Sequence, residues 1–237
     1  MYFSLITPED GLLRQAAHEF VAAPGAAGKA TPYSEHQWIW RFFPSAEDQR
    51  RDFIFRRDDL GETPRYYVVS QRPPVGFSAA WAVRTQPYAP ILAAGQRLAF
   101  KLRANPVVSK KGGAGRSKRH DVVMQLKKQL MAEREVSSWA KWPKEDERPA
   151  QYDMVQQTCL EWLRERAAGN GFEVTEASVD AYTQHRVGAR EIRFSSVDYS
   201  GELVVTDPER FQRTLANGLG HAKAFGCGLM LVRGVDR

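Results

Sequence analysis

The sequence predicts an α+β fold built from two related units in tandem, and three observations carry that prediction. The second half reads helix, several strands, helix, strand, an order that suits helices packed on one face of an antiparallel sheet, and the first half follows a similar order. Gln96-Arg-Leu-Ala-Phe-Lys-Leu-Arg103 alternates Leu98, Phe100 and Leu102 with polar neighbours, the period-two signature of a half-buried strand. The 237 residues are 43% hydrophobic and 26% charged, which supplies a sizeable core beneath an ordinary surface and excludes wholesale disorder.

Each element has a local reason. Residues 1–7 are apolar and partly branched, a first strand that Pro8 closes. Residues 12–23 have weak helical character, and a Pro/Gly/Ala loop occupies 24–32. A firmer helix spans 34–43, with Ser34 as its cap, Trp38, Ile39, Phe42 and Phe43 as its packing face and Pro44 as its limit. Residues 52–56 and 65–70 read as a hairpin around the polar turn 58–61, and a further strand follows at 79–84. After the strand at 96–103, helices are expected at 122–134 and 152–168, the latter ended by Gly169-Asn-Gly171. Four strands (172–175, 178–182, 191–197 and 201–206), a short helix from Asp207-Pro208 to Asn217 and a last strand at 229–233 complete the chain. The boundary between units is expected near residue 95, giving units 1–95 and 96–237.

Lys and Arg number 34 against 28 Asp and Glu, a net charge of +6 that weakly favours an anionic partner. The distribution says more. No Asp or Glu occurs between Glu62 and Asp121, while Arg65, Arg72, Arg84, Arg97, Lys101, Arg103, Lys110, Lys111, Arg116, Lys118 and Arg119 all fall in that gap. Such a field attracts a polyanion. Its densest part, residues 109–120, is glycine-rich and lacks apolar periodicity, so a mobile loop that orders on phosphate is expected there. The strand at 96–103 directs Arg97, Lys101 and Arg103 away from its apolar face, a rigid surface suited to phosphate. A solvated surface loop accounts for the Lys/Arg run but less well for the long absence of acids.

Cys159 and Cys227 are far apart and form neither a redox pair nor half of a zinc site, so both read as small buried side chains and no metal is implied. No apolar run reaches the roughly 18 residues of a membrane span, and the N-terminus lacks a secretory pattern, so a cytoplasmic location is expected. There is no metalloprotease, calcium-loop or nucleophile-elbow pattern.

Two segments hold candidate chemistry. Tyr33 and His36 lie three residues apart at the start of the aromatic helix, with Trp40 four residues further on. A histidine exchanges a proton near neutral pH, and a tyrosine donates to phosphate or positions a sugar hydroxyl. That pair fits metal-free RNA cleavage, in which the 2′-hydroxyl attacks its own phosphate and needs only a base, an acid and a cation. The competing reading is a structural histidine beside Trp38 and Trp40. The second segment, 217–228, sets Gly218, Gly220, Gly226 and Gly228 around His221 and Lys223, so exposed N–H groups and Lys223 are candidates to cradle phosphate. It precedes the last strand and has neither a P-loop ending nor a dinucleotide fingerprint; a tight glycine turn is its other reading.

These residues together resemble the Cas6e (CasE, Cse3) family of CRISPR RNA endonucleases. The resemblance rests on Met1-Tyr, Tyr33-x-x-His36, Trp40-x-x-Phe43-Pro44, Arg51-Asp-Phe-Ile-Phe55, Leu98-Ala-Phe-Lys-Leu-Arg-Ala-Asn-Pro106 and Gly218-Leu-Gly-x-Ala-Lys-x-Phe-Gly-Cys-Gly228, in that order. It implies two tandem ferredoxin-like, RNA-recognition-like domains. It also implies metal-independent, cofactor-free cleavage of the repeat stem-loop of precursor CRISPR RNA, leaving a 5′-hydroxyl and a 2′,3′-cyclic phosphate or its opened form. His36 matches the family's catalytic histidine and Tyr33 its neighbouring tyrosine. Gly218, Gly220, Gly226 and Lys223 match its RNA-binding loop, and Arg103, Lys110, Lys111, Arg116, Lys118 and Arg119 are expected to grip the hairpin backbone. Expected partners are precursor and mature CRISPR RNA and the type I-E Cascade subunits. The stretch 8–31 is longer than in shorter relatives. A non-cleaving RNA-binding subunit remains the rival, since the charge pattern serves both readings and only Tyr33-x-x-His36 favours catalysis.

Overall fold

A computed structural model describes residues 1–21, 31–44, 49–61, 63–111, 117–143, 148–187 and 192–235. Arg116, within the basic segment, and residues 22–30 of the lengthened stretch before Tyr33 lie outside them. The first unit comprises β1 (Tyr2–Pro8), α1 (Leu13–Val21), α2 (Pro32–Trp40), β2 (Phe53–Leu60), β3 (Thr63–Ser70) and β4 (Trp81–Pro87). Its antiparallel sheet has the order β2-β3-β1-β4. The second unit begins with β5 (Arg97–Ala104). A hairpin of β6 (Val107–Lys111) and β7 (Ser117–Asp121) follows, then α3 (Val122–Glu133), α4 (Gln151–Ala167), β8 (Phe172–Val187), β9 (Ile192–Val205), α5 (Pro208–Asn217) and β10 (Met230–Gly234). Its sheet order is β10-β5-β9-β8. In both units the first strand is central, with the third and fourth beside it and the second outermost. That shared order makes the chain two ferredoxin-like units, the first lacking a helix between its third and fourth strands.

One face of the first sheet packs on α2, burying Trp38, Ile39, Phe42, Phe55, Tyr66 and Val68. The alternation predicted for β5 holds: Leu98, Phe100 and Leu102 join Trp162, Leu163, Tyr199 and Phe211 in the second core. The remaining faces meet through Ile54, Val69 and Leu229, with Phe3, Tyr67 and Leu231 around them. A polar strut adds to that junction. Arg103 of β5 donates from Nε and Nη2 to the two carboxylate oxygens of Asp198 on β9, at 2.9 Å each, and from Nη1 to the Arg57 carbonyl on β2 at 3.3 Å. Buried Arg56 also approaches Asp198, at 3.4 Å.

Four expectations change. Ser34 is not the cap of α2: Thr31 is, and Ser34 sits at the third helical position, where it and Thr31 accept from each other's backbone N–H in a capping box, with Pro32 at the helix start. The aromatic helix ends at Trp40, though Phe42 and Phe43 stay buried in the following turn. The four strands expected between 172 and 206 are two long ones, because nothing breaks the ladder and register shifts at Val174/Glu176 and Val179/Ala181 absorb the irregularity. The basic segment is a β-hairpin on both sides of its tip rather than a loop, with Val108 opposite His120 and Lys110 opposite Lys118. Among the described residues no helix is long and apolar enough to cross a membrane.

Candidate functional site

Tyr33 and His36 both lie on α2, one turn apart. Tyr33 is 41% exposed, and His36 is half-buried. The His36 Nε2 atom accepts a hydrogen bond from the Trp40 indole N–H at 3.1 Å, the i,i+4 contact of a helix. An indole N–H can only donate, so Nε2 is the unprotonated nitrogen of a neutral ring and Nδ1 carries the proton. Nδ1 is buried with no hydrogen-bond partner among the described residues. Burial, and then the neighbouring Arg51 guanidinium, lower the His36 pKa from 6.5 to about 4. Trp40 is itself held by the Phe53 ring at 4.9 Å, so the histidine is oriented by a packed aromatic column.

The glycine-rich loop lies against the same region. Gly218 ends α5 with φ +74°, and Gly226 adopts φ +77° with the Phe55 ring 3.3 Å from where a Cβ would stand. These positions require glycine because the loop approaches the first unit closely in a left-handed backbone conformation. Gly220 makes a similar approach to Trp162. Leu219 N–H donates to the Gly228 carbonyl, and Gly228 N–H donates to the Arg103 carbonyl, so the loop is fastened to itself and to β5. Lys223 stands at the start of a short 3₁₀ turn, Lys223–Phe225, half-buried.

The cations sort into two groups. Lys110, Lys118 and Arg119 are exposed on the hairpin with no acid partner among the described residues, and Lys111 is the last residue of β6. The base of the hairpin is anchored where Trp162 Nε1 and Arg166 Nη2 donate to the Val107 carbonyl at 3.1 and 3.0 Å. Arg103 belongs to the other group. Three of its five N–H donors go to Asp198 and the Arg57 carbonyl, which makes it a strut between units and leaves fewer donors for the phosphate it is expected to grip. Arg97 pairs with Glu202 at 2.7 Å, and Lys101, on the same outer side of β5, has no acid partner among the described residues.

Electrostatics tie the unpaired group together. Burial and then Arg119, Lys223 and Arg166 lower the proton affinity of His221; burial and then Arg51 lower that of Lys223; and Arg51 also acts on His36. Arg119 and Lys223 therefore lie near enough to His221, and Arg51 near enough to Lys223 and His36, to oppose further positive charge there. Arg51 is the residue that sequence reasoning passed over: it appeared only as part of a motif, and no spacing rule links it to His36, 15 positions away. Among the described residues no group of three or more His, Cys, Asp or Glu is arranged to hold a metal ion.

Fold and site together define a tandem ferredoxin-like protein with an exposed basic hairpin and a half-buried histidine on α2. The chain belongs to the CRISPR associated protein family, whose model matches residues 1–234. It is similar to the CRISPR-associated endoribonuclease Cse3 of Thermus thermophilus, 29% identical over 210 residues that cover 86% of this chain and 90% of the relative. It is also similar to the CRISPR system Cascade subunit CasE of Escherichia coli strain K12, 24% identical over 202 residues, covering 84% and 89%. Among solved structures, a CRISPR endoribonuclease Cse3 bound to a 19-nucleotide RNA superposes with a TM-score of 0.65 at 25% identity, covering 98% of each chain.

Proposed function

We propose that this protein is a Cas6e-type endoribonuclease that cuts the repeat stem-loop of precursor CRISPR RNA and stays with the mature guide in Cascade. The observation that carries this reading is that Tyr33 and His36 share one turn of α2, which packs against the Lys223–Phe225 turn of the glycine loop, in a chain whose β6–β7 hairpin exposes Lys110, Lys118 and Arg119. Lys110, Lys111, Arg116, Lys118 and Arg119 grip the phosphates of the RNA stem, and the loop of Gly218, Gly220, Lys223 and Gly226 brings a cation beside the cleavage site. The 2′-hydroxyl of the nucleotide upstream attacks the adjacent phosphate. His36 handles a proton in that step, and Tyr33 positions the reacting ribose-phosphate. The bond to the 5′-oxygen breaks, leaving a 5′-hydroxyl and a 2′,3′-cyclic phosphate. The site residues match this reaction with no metal or cofactor, in a cytoplasmic setting where precursor transcripts lie. The first unit, residues 1–95, carries the histidine, and the second, 96–237, carries most of the RNA grip.

One observation favours the rival, a subunit that binds RNA without cutting it: His36 Nε2 is occupied by Trp40 and its Nδ1 is buried. Cleavage of the host repeat hairpin by wild type and His36→Ala, with chelator present and binding followed in parallel, separates the two. Chelator-resistant cleavage to a cyclic-phosphate end, lost in a variant that still binds, is the expected result. Tight binding with no cleavage by either protein makes it a binding subunit or an enzyme that cuts only within Cascade.

A further inference from the structure

We infer that Arg51 and Lys223 form a composite anion seat across the two units that holds the scissile phosphodiester beside His36. The inference rests on the nuclease reading and adds Arg51 to the groups that touch substrate. Arg51 precedes β2 in the first unit and Lys223 lies within the glycine loop of the second; both line a cavity of about 340 Å³ with Phe53, Asn217 and Asp52. The Phe53 ring meets Trp40, which donates to His36, so two contacts link the cavity wall to the histidine, and Arg51 in that wall is close enough to act on the ring electrostatically.

The charge balance of this cavity is what points to a ligand. Asp52 is its acid, and Arg72 already takes that charge at 2.7 Å. Arg51 and Lys223 are half-buried and have no acid partner among the described residues. Burial disfavours the charged form of each, and Arg51 further depresses Lys223. Two partly desolvated cations that repel each other are costly to keep unless an anion joins them. Neither unit has the seat alone, so apposition of the units, through the Arg103 bond to the Arg57 carbonyl and the Arg56–Asp198 pair, assembles it. An anion held there also cancels the Arg51 field at His36 and raises the proton affinity of the ring.

The test uses the full chain and two readouts. First, the His36 ring is titrated by NMR at constant ionic strength in chloride and in inorganic phosphate. Phosphate is expected to move the His36 midpoint upward in wild type and to have no such effect in Arg51→Gln or Lys223→Gln. Second, single-turnover cleavage of the repeat hairpin is expected to fall about 100-fold or more in Arg51→Gln, the scale of losing one group aimed at developing charge. Affinity for a hairpin with deoxyribose upstream of the scissile phosphate should change less than about tenfold, since most phosphate contacts remain. Arg51→Lys should recover part of the rate, and unchanged thermal melting verifies folding. A wild-type His36 that ignores phosphate, together with wild-type cleavage by Arg51→Gln, overturns the inference. A wild type that responds to phosphate yet cuts no RNA keeps the seat and overturns the nuclease reading.

Discussion

His36 accepts the Trp40 N–H at 3.1 Å, which fixes its tautomer and biases it towards the neutral form. Trp40→Phe keeps the ring that packs on Phe53 but removes the donor. The His36 midpoint is then expected to rise by about 0.5–1 pH unit, the equivalent of one net hydrogen bond of about 1 kcal/mol, read by NMR titration. The low His36 pKa has a second consequence. The unfolded ring takes a proton near pH 6.5 and the folded ring only near about 4, so the unfolded state binds more protons between them. The contribution is thus full above pH 6.5 and lost as pH falls towards 4. Denaturant melts at about pH 7.5, 6 and 5 should show this loss in wild type and a smaller one in His36→Gln. The residue pair Tyr33 and His36 was legible from sequence because helical spacing alone puts the two on one turn. Trp40's role as donor was not, since a hydrogen bond depends on side-chain direction as well as spacing.

The β6–β7 hairpin places Lys110 directly opposite Lys118. Like charges facing across a ladder destabilise it, so this element trades some stability for a concentrated field. Lys118→Ala is therefore expected to weaken binding of the repeat hairpin, lower the salt dependence of log affinity by about one unit of slope, and leave melting unchanged or slightly raised. Binding isotherms across a salt series check it. Composition located the basic segment, but its lack of apolar alternation disguised it as a loop. The hairpin forms because the Trp162 and Arg166 donors fasten Val107 and because Asp121, opposite Val107 at the base, caps α3 through Met124 N–H and accepts from the Ser195 hydroxyl. Those partners are distant in sequence. The glycine loop shows a converse case: its pattern suggested phosphate binding, while the structure shows that Gly226 is required where the loop meets Phe55. Gly226→Ala should cost about 1–2 kcal/mol in denaturant melts, the penalty of a left-handed L-residue, before any steric term.

Across the whole molecule, the two units are joined by an apolar seam and by Asp198, which serves both Arg103 and Arg56. The Arg103 and Asp198 side chains are 28% and 19% exposed, so their pairing is only partly screened. Asp198→Asn leaves two arginines facing each other without their shared counter-ion. It is expected to destabilise the protein by about 3 kcal/mol in denaturant melts, and to slow cleavage more than it weakens RNA binding if the proposed Arg51–Lys223 seat spans the junction.

The sequence by itself determined the α+β class, the tandem order, the alternating core strand β5, the acid-free basic segment and the Tyr33/His36 turn. Each of these is written in local periodicity, in the charge of a contiguous stretch or in motifs read in order. Tertiary structure decided which cations are free. Arg103 and Arg119 look alike in the sequence, yet Asp198 neutralises one and no described acid meets the other. It also decided that Arg51, from the first unit, meets Lys223 from the second at one cavity. Charge compensation and shared cavities depend on distances between residues far apart in the chain, and those exist only once two sheets with the same strand order pack against each other.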